Sequence, residues 1–274
     1  MKACVVKAAD GTPLNVGVVS DSDDKPWVVV VLPFAFQIEM ASVLFDSLKH
    51  DFNLLTWESR LILANPDQTV SQQQLTLDHH VSDLMSVMAE WHVRSAALIG
   101  YCSGAGVAMA AAQRHRKMFS QLALISGEYL LDDPSCLTQY SDDIGNLLTI
   151  AAKDENMASF VLDRLQNKNL NDAFPGVSLP YTQPHYFHRY GLNYLNYRQT
   201  DFLAMAKTIE TVSLVIAALD DEQTNVASAE CIYHQLPDAT LIKVDGDHYE
   251  VLRPDSMVID RIKTFLMVED CGVI

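Results

Sequence analysis

The segment Leu98-Ile99-Gly100-Tyr101-Cys102-Ser103-Gly104-Ala105-Gly106 reads as a buried strand running into a tight turn and then a small-residue helix, with a cysteine at the apex. A thiol held there is placed for nucleophilic attack. Gly100 and Gly104 let strand and helix pass close to each other, and strain in the turn exposes the apex residue. The same pattern also arises in Gly/Ala-rich helix starts, and a free cysteine is commonly a small buried apolar residue. The reading therefore depends on partners. A nucleophilic thiol needs a base, and an imidazole base needs an acid to fix its tautomer and stabilise the imidazolium. Asp220-Asp221 follows the apolar run Val212–Leu219, and Asp245-Gly-Asp-His248-Tyr follows Thr240–Val244. Loops at the carboxyl ends of parallel strands are where sites in open α/β sheets collect. Cys102, His248 and one of the neighbouring acids Asp220 and Asp221 are thus the candidate catalytic residues. His79, His80, His185 and His188 lack comparable placement and read as structural or solvated.

The elements that must position these residues are legible as an alternation. Residues 3–9 and 14–19 predict two antiparallel strands around Asp10-Gly11-Thr12-Pro13. Trp27–Leu32 is a continuous β-branched run, as expected of a parallel strand covered on both faces. Beyond Pro33-Phe34-Ala35-Phe36, the residues Ile38, Met40, Ala41, Val43, Leu44 and Leu48 predict a helix with an apolar face. Strands at Phe52–Trp57, Ala96–Ile99 and Leu122–Ile125 alternate with helices at about 76–91 and 104–116, which is the signature of a mostly parallel sheet flanked by helices. From about Leu130 to Met205 the alternation stops and the chain becomes helical, polar and aromatic. This predicts a helical cap over residues 130–205, inserted into a core of 1–129 and 206–274. Alternation resumes with Val212–Leu219, a helix at Ala227–Leu236, Thr240–Val244 and a last helix near 254–267.

The chain has 274 residues, is 49% hydrophobic and carries a formal net charge of −16. That length suits one α/β domain with an insertion. The charge excludes nucleic acid and anionic membranes as expected partners, since both require clustered Lys/Arg. The local run Arg114-His115-Arg116-Lys117 sits where a helix dipole favours cations in any case. Met1–Val6 shows no secretory leader and no apolar run reaches membrane-spanning length, so a soluble, cytoplasmic protein is expected. The cysteines at 4, 102, 136, 231 and 271 show neither metal-ligand spacing nor a disulfide framework. Cys271-Gly-Val-Ile fails as a prenylation box, with glycine at an aliphatic position. No metal or nucleotide motif is present.

The elbow and the chain order of nucleophile, acid and histidine resemble the α/β-hydrolase fold, with Cys102 standing where serine usually stands. That resemblance implies a central, mostly parallel sheet of about eight strands. It favours Asp221 over Asp220, because Asp221-Glu-Gln-Thr-Asn-Val-Ala-Ser-Ala-Glu matches the loop and helix start that follow the fold's catalytic aspartate. It also implies an oxyanion hole from the amides of Ser103 and Phe34. Many members have His-Gly before the second donor, and here Leu32-Pro33 replaces it.

Pro33-Phe-Ala-Phe-Gln-Ile-Glu-Met-Ala-Ser-Val-Leu-Phe further resembles a segment of the acyltransferases that supply fatty acid to bacterial luciferase systems, and Trp57-Glu58-Ser59-Arg60 falls at that family's Tyr-Asp-Ser-Leu-like turn. The cysteine resembles instead the cysteine-dependent aminoacyl shuttle enzymes of nonribosomal peptide biosynthesis. The resemblance implies transfer of an acyl or aminoacyl thioester between acyl or peptidyl carrier proteins, with phosphopantetheine presented by the partner and no tightly bound cofactor. A thioester passed to a thiol gives another thioester of similar energy, so cysteine suits a reversible transfer. His248 and the helix N-terminus after Cys102 are expected to favour the thiolate. The alternatives are a thioesterase or a dienelactone-hydrolase-like cysteine hydrolase that accepts water, and a non-enzymatic scaffold that has no need of all three catalytic groups.

Overall fold

The continuous apolar runs become parallel strands because helices cover both of their faces. The computed structural model describes residues 1–22, 24–165, 174 and 176–268. The described residues form one eight-stranded sheet in the order β1-β2-β4-β3-β5-β6-β7-β8. The strands are β1 (Lys2–Lys7), β2 (Pro13–Val19), β3 (Trp27–Val31), β4 (Asn53–Trp57), β5 (Ala96–Tyr101), β6 (Phe119–Ile125), β7 (Val212–Ala218) and β8 (Ala239–Val244). Only the β1–β2 and β2–β4 pairings are antiparallel. The other pairings are parallel, so the carboxyl ends of β3, β5, β6, β7 and β8 share one edge of the molecule.

One face of the sheet is covered by α2 (Leu77–Glu90), α3 (Ser103–Arg114) and α8 (Val226–Tyr233), the other by α1 (Ser42–Leu48) and α9 (Met257–Met267). The helix expected from Ile38 begins instead as a 3-10 turn over Ile38–Ala41, and α1 starts only at Ser42. The basic run at the end of α3 is partly neutralised, with Arg114 paired to Asp78 and Arg116 to Glu210.

Between β6 and β7 lie α4 (Gln139–Ala151), α5 (Glu155–Leu165), α6 (Pro184–Tyr197) and α7 (Phe202–Ala206). Helices α4 to α6 enclose a small core of their own around Leu148, Ala151, Val161, Leu162 and Phe187. Helix α7 packs with the body: Phe202, Met205 and Ala206 join the main core beside α3 and α8. The layer above the strand ends is therefore built by α4 to α6. The Cys271 tail lies outside the described residues. Among the described residues no helix is long and apolar enough to cross a membrane.

Candidate active site

Cys102 stands between β5 and α3 with φ 51° and ψ −125°. A non-glycine residue held in such a conformation costs roughly 1–3 kcal/mol, so its surroundings must enforce it. The Cys102 amide donates to the Ile125 carbonyl at 3.0 Å, and its own carbonyl accepts from Ala105 at 3.0 Å and from Glu128 at 3.1 Å. A Cβ on Gly100 would lie 2.6 Å from Ala105 Cα, and one on Gly104 would collide with the Val31 carbonyl. These glycines set how closely β5, β3 and α3 approach.

The loops after β7 and β8 bring the acid and base together. His248 Nδ1 lies 2.8 Å from Asp221 Oδ2, with both side chains buried. The carboxylate is fixed by further donors: the amides of Gln223 and Thr224 reach Oδ1 at 2.8 Å, and the Thr224 hydroxyl donates to Oδ2 at 2.8 Å. Burial pushes the Asp221 carboxyl up, but the His248 and Thr224 interactions outweigh it and the group stays below the ordinary range. Ionised Asp221 makes Nδ1–H the donor, so that in the neutral imidazole Nε2 is the acceptor. Asp220 is exposed and takes no part, its amide donating to the Gly246 carbonyl at 2.9 Å. The Tyr101 hydroxyl donates to the His248 carbonyl at 3.0 Å, and the two rings lie 5.3 Å apart, so β5 and the His248 loop are joined directly.

The expectation of a thiolate-favouring environment is corrected by the structure. Burial pushes the Cys102 thiol well above its ordinary value, and the charge of Glu128 pushes it further. The Ser103 amide and hydroxyl pull the other way without prevailing. The resting group is a thiol, so a base must remove its proton during reaction.

Ser103 is buried, and its hydroxyl does what the sequence did not suggest: it accepts from the Phe34 amide at 3.0 Å. The Phe34 amide is thus brought to the elbow, but in this state it is engaged by a side chain. The Phe34 ring packs on His80 at 4.8 Å and Tyr197 at 5.2 Å. His80 itself is buried, bonded to Asn193 at 2.7 Å and pushed down to about 4 by desolvation, so it is a neutral packing group. His79 meets Thr76 at 2.7 Å and His188 meets the Ala151 carbonyl at 2.8 Å, which fixes local structure only.

Three further residues shape the site. Ser59 Oγ accepts from the Ala35 amide at 2.8 Å, and Glu58 from the Ile38 amide at 3.4 Å, so the turn after β4 holds the loop that carries Phe34. Glu128, at the carboxyl end of β6, lines a cavity of about 400 Å³ between the strand ends and α4. A candidate metal cluster is weak: Asp133, Cys136 and Cys231 lie within 4.8 Å of one another. Burial and the Cys231 contact push the Cys136 thiol up to about 11, which opposes thiolate ligation at neutral pH.

The sheet order, the elbow and the capping helices define an α/β-hydrolase fold. Solved structures share it over nearly the whole chain: a hydrolase from Pseudomonas aeruginosa PA01 at 20% identity, TM-score 0.72, covering 97% of this chain and 98% of that one. The enol-lactonase from Burkholderia xenovorans LB400 matches at 18% identity and TM-score 0.74, covering 97% and 99%. A thermophilic esterase from Thermogutta terrifontis matches at 14% identity and TM-score 0.71, covering 97% and 98%. At such identities the likeness carries the fold alone. In sequence, the chain is similar to the L-allo-isoleucyltransferase of Pseudomonas savastanoi pv. glycinea, 25% identical over 219 residues that make up 73% of this chain and 72% of that protein. No family model matches the chain.

Proposed function

We propose that the chain is a cysteine acyltransferase that moves an acyl or aminoacyl group between phosphopantetheinyl thiols of carrier proteins through a thioester on Cys102. The observation that carries this reading is the 2.8 Å His248–Asp221 hydrogen bond on a loop that Tyr101 joins to the end of β5, where Cys102 is strained at φ 51°. The similarity to an aminoacyltransferase supports transfer over hydrolysis.

In the first half-reaction His248 Nε2 takes the Cys102 proton as sulfur attacks the thioester carbonyl, and Asp221 stabilises the imidazolium. The oxyanion is held by the Ser103 amide and by the Phe34 amide, which must turn from Ser103 Oγ toward it. Collapse breaks the carbon–sulfur bond to the first carrier, whose thiolate takes the proton from His248. The second half-reaction repeats these steps in reverse with another carrier thiol, so proton and thioester are both conserved. Phosphopantetheine enters and leaves with the partner.

Intact-protein mass spectrometry tests this with a loaded carrier domain, with and without an empty second carrier. An adduct absent from Cys102→Ala, followed by mass gain on the empty carrier, is expected. Release of free acid with no gain on the second carrier would make the protein a thioesterase instead.

A further inference from the structure

Glu128 is a carboxylate that the catalytic cycle does not use, yet it is anchored beside the nucleophile. Its amide donates to the Cys102 carbonyl at 3.1 Å, and β6 is hydrogen-bonded to β5, so its position relative to the thiol is set by the sheet. Its side chain is partly open, and it lines the 400 Å³ cavity under α4. Among the described residues its carboxylate has neither an ion pair nor a hydrogen bond. Arg198, the cation on the same cavity, is exposed and lies over the Tyr194 ring at 5.6 Å. Tyr129 and Tyr194 line the same cavity, and Tyr190 and Tyr181 lie within electrostatic reach of Glu128. An unpaired carboxylate half withdrawn from water is unfavourable, and the penalty is relieved when a cation enters.

We propose that Glu128 binds the α-ammonium group of an aminoacyl substrate, so that the group carried on Cys102 is an aminoacyl rather than a plain acyl group. This assignment rests on the thioester-transfer reading above. The ammonium of an aminoacyl thioester sits on the carbon next to the reacting carbonyl, and so stays within a few bonds of Cys102 Sγ throughout the cycle. A hydrocarbon acyl group offers nothing to this carboxylate and leaves it unpaired, which is the condition under which a polar site discriminates strongly. Pairing has a second effect. The negative charge of Glu128 adds to desolvation in raising the Cys102 thiol, and the imidazolium formed when His248 takes the thiol proton lies within electrostatic reach of Glu128. A cation bound at Glu128 cancels the repulsion and eases transfer of the thiol proton to His248. Asp132 and Asp142, exposed on the cavity rim, give the entrance the same sign.

The test measures loading of Cys102 from two N-acetylcysteamine thioesters with one carbon skeleton, L-valyl and its des-amino counterpart 3-methylbutanoyl. Each rate is divided by that with free N-acetylcysteine, which removes the intrinsic reactivity difference. The corrected preference of the wild-type chain for the amino compound is expected to be roughly 10- to 100-fold, the range of a hydrogen bond to a charged group. In Glu128→Gln it is expected to fall to near one, while des-amino loading is kept or improved. A general change in thiol reactivity would scale both rates and leave the ratio alone. A wild-type ratio near one, or a ratio unchanged in Glu128→Gln, overturns the assignment while leaving Cys102 thioester transfer intact. Should Glu128→Gln not fold, the wild-type ratio and that of Glu128→Asp decide. Failure of the wild-type chain to form any adduct that Cys102→Ala lacks removes the transfer reading itself, and the assignment with it.

Discussion

At the scale of single residues, burial and Glu128 hold Cys102 as a thiol while Ser103 pulls the other way, through its hydroxyl as well as its amide. Its hydroxyl accepts from Phe34 and lies where it can steady the Cys102 sulfur. Ser103→Ala removes both interactions but keeps the Ser103 amide. Cys102 acylation is expected to slow roughly tenfold, the effect of one hydrogen bond near a developing charge. Adduct formation by stopped time-point mass spectrometry checks it, and an unchanged rate would remove the hydroxyl from the reaction. Glu128 makes a separate prediction about stability. Desolvation pushes its carboxyl up to about 7. A raised carboxyl favours the folded state most below the unfolded value near 4 and loses that stabilisation as pH rises through about 7. Between pH 5.5 and 8 the wild-type chain should therefore lose about 1–2 kcal/mol from this group, allowing for its partial exposure. Glu128→Gln should remove that slope in urea titrations at the two pH values. Parallel pH profiles for the two proteins would contradict it.

At the scale of elements, the candidate site residues and their strands were legible, and the parts that adjust them were not. Continuous apolar runs identify β3, β5 and β7 because strands covered on both faces need no polar alternation. Cys102 and Asp221 stand out because each follows such a run, whereas His248 follows the half-exposed edge strand β8. The choice between Asp220 and Asp221 rested on a family likeness; in the structure it is Asp221 that His248 bonds. Glu128 shared the same signal, an acidic residue just beyond β6, but had no spacing partner in the chain to make it conspicuous. The Cys136–Cys231 approach at 3.5 Å links residues 95 apart in sequence, which only the fold reveals. The turn after β4 belongs to this class too. Ser59 holds the Ala35 amide, and Ala35 lies at φ 63°, a conformation that needs such a restraint. Ser59→Ala frees the loop that carries Phe34. Loss of one donor's alignment is expected to lower acylation roughly tenfold, with thioester affinity nearly unchanged. Saturation kinetics separates the two parameters, and a purely affinity-based defect would place Ser59 outside oxyanion support.

At the scale of the whole molecule, the question is why an acylated Cys102 would wait for a thiol when water is everywhere. Helices α4 and α5 with one side of α6 enclose a small core centred on the fully buried Phe187, while Tyr197 of α6 joins the main core and Asn193 and Arg189 bond to the body. Helices α4 and α5, held on α6 by so little apolar surface, open locally at lower free energy than the body unfolds. On the transfer reading proposed above, the closed layer keeps water from the thioester and the opened one admits the arm of the next carrier. Tyr197, at the end of α6, ties this layer to the site by donating to the Ser103 and Glu128 carbonyls at 3.0 and 2.7 Å. Phe187→Ala should cost the upper core about 3 kcal/mol and leave the sheet and triad in place. The acyl-enzyme is then expected to hydrolyse at least tenfold faster, while loading of Cys102 stays within about threefold, because one or two kcal/mol of easier opening is enough for the former. Preformed acyl-enzyme followed by mass spectrometry, with and without N-acetylcysteamine, measures hydrolysis and transfer side by side. If hydrolysis is unchanged although thermal melting shows the upper core weakened, water is excluded by the strand-end loops and not by the helices above them.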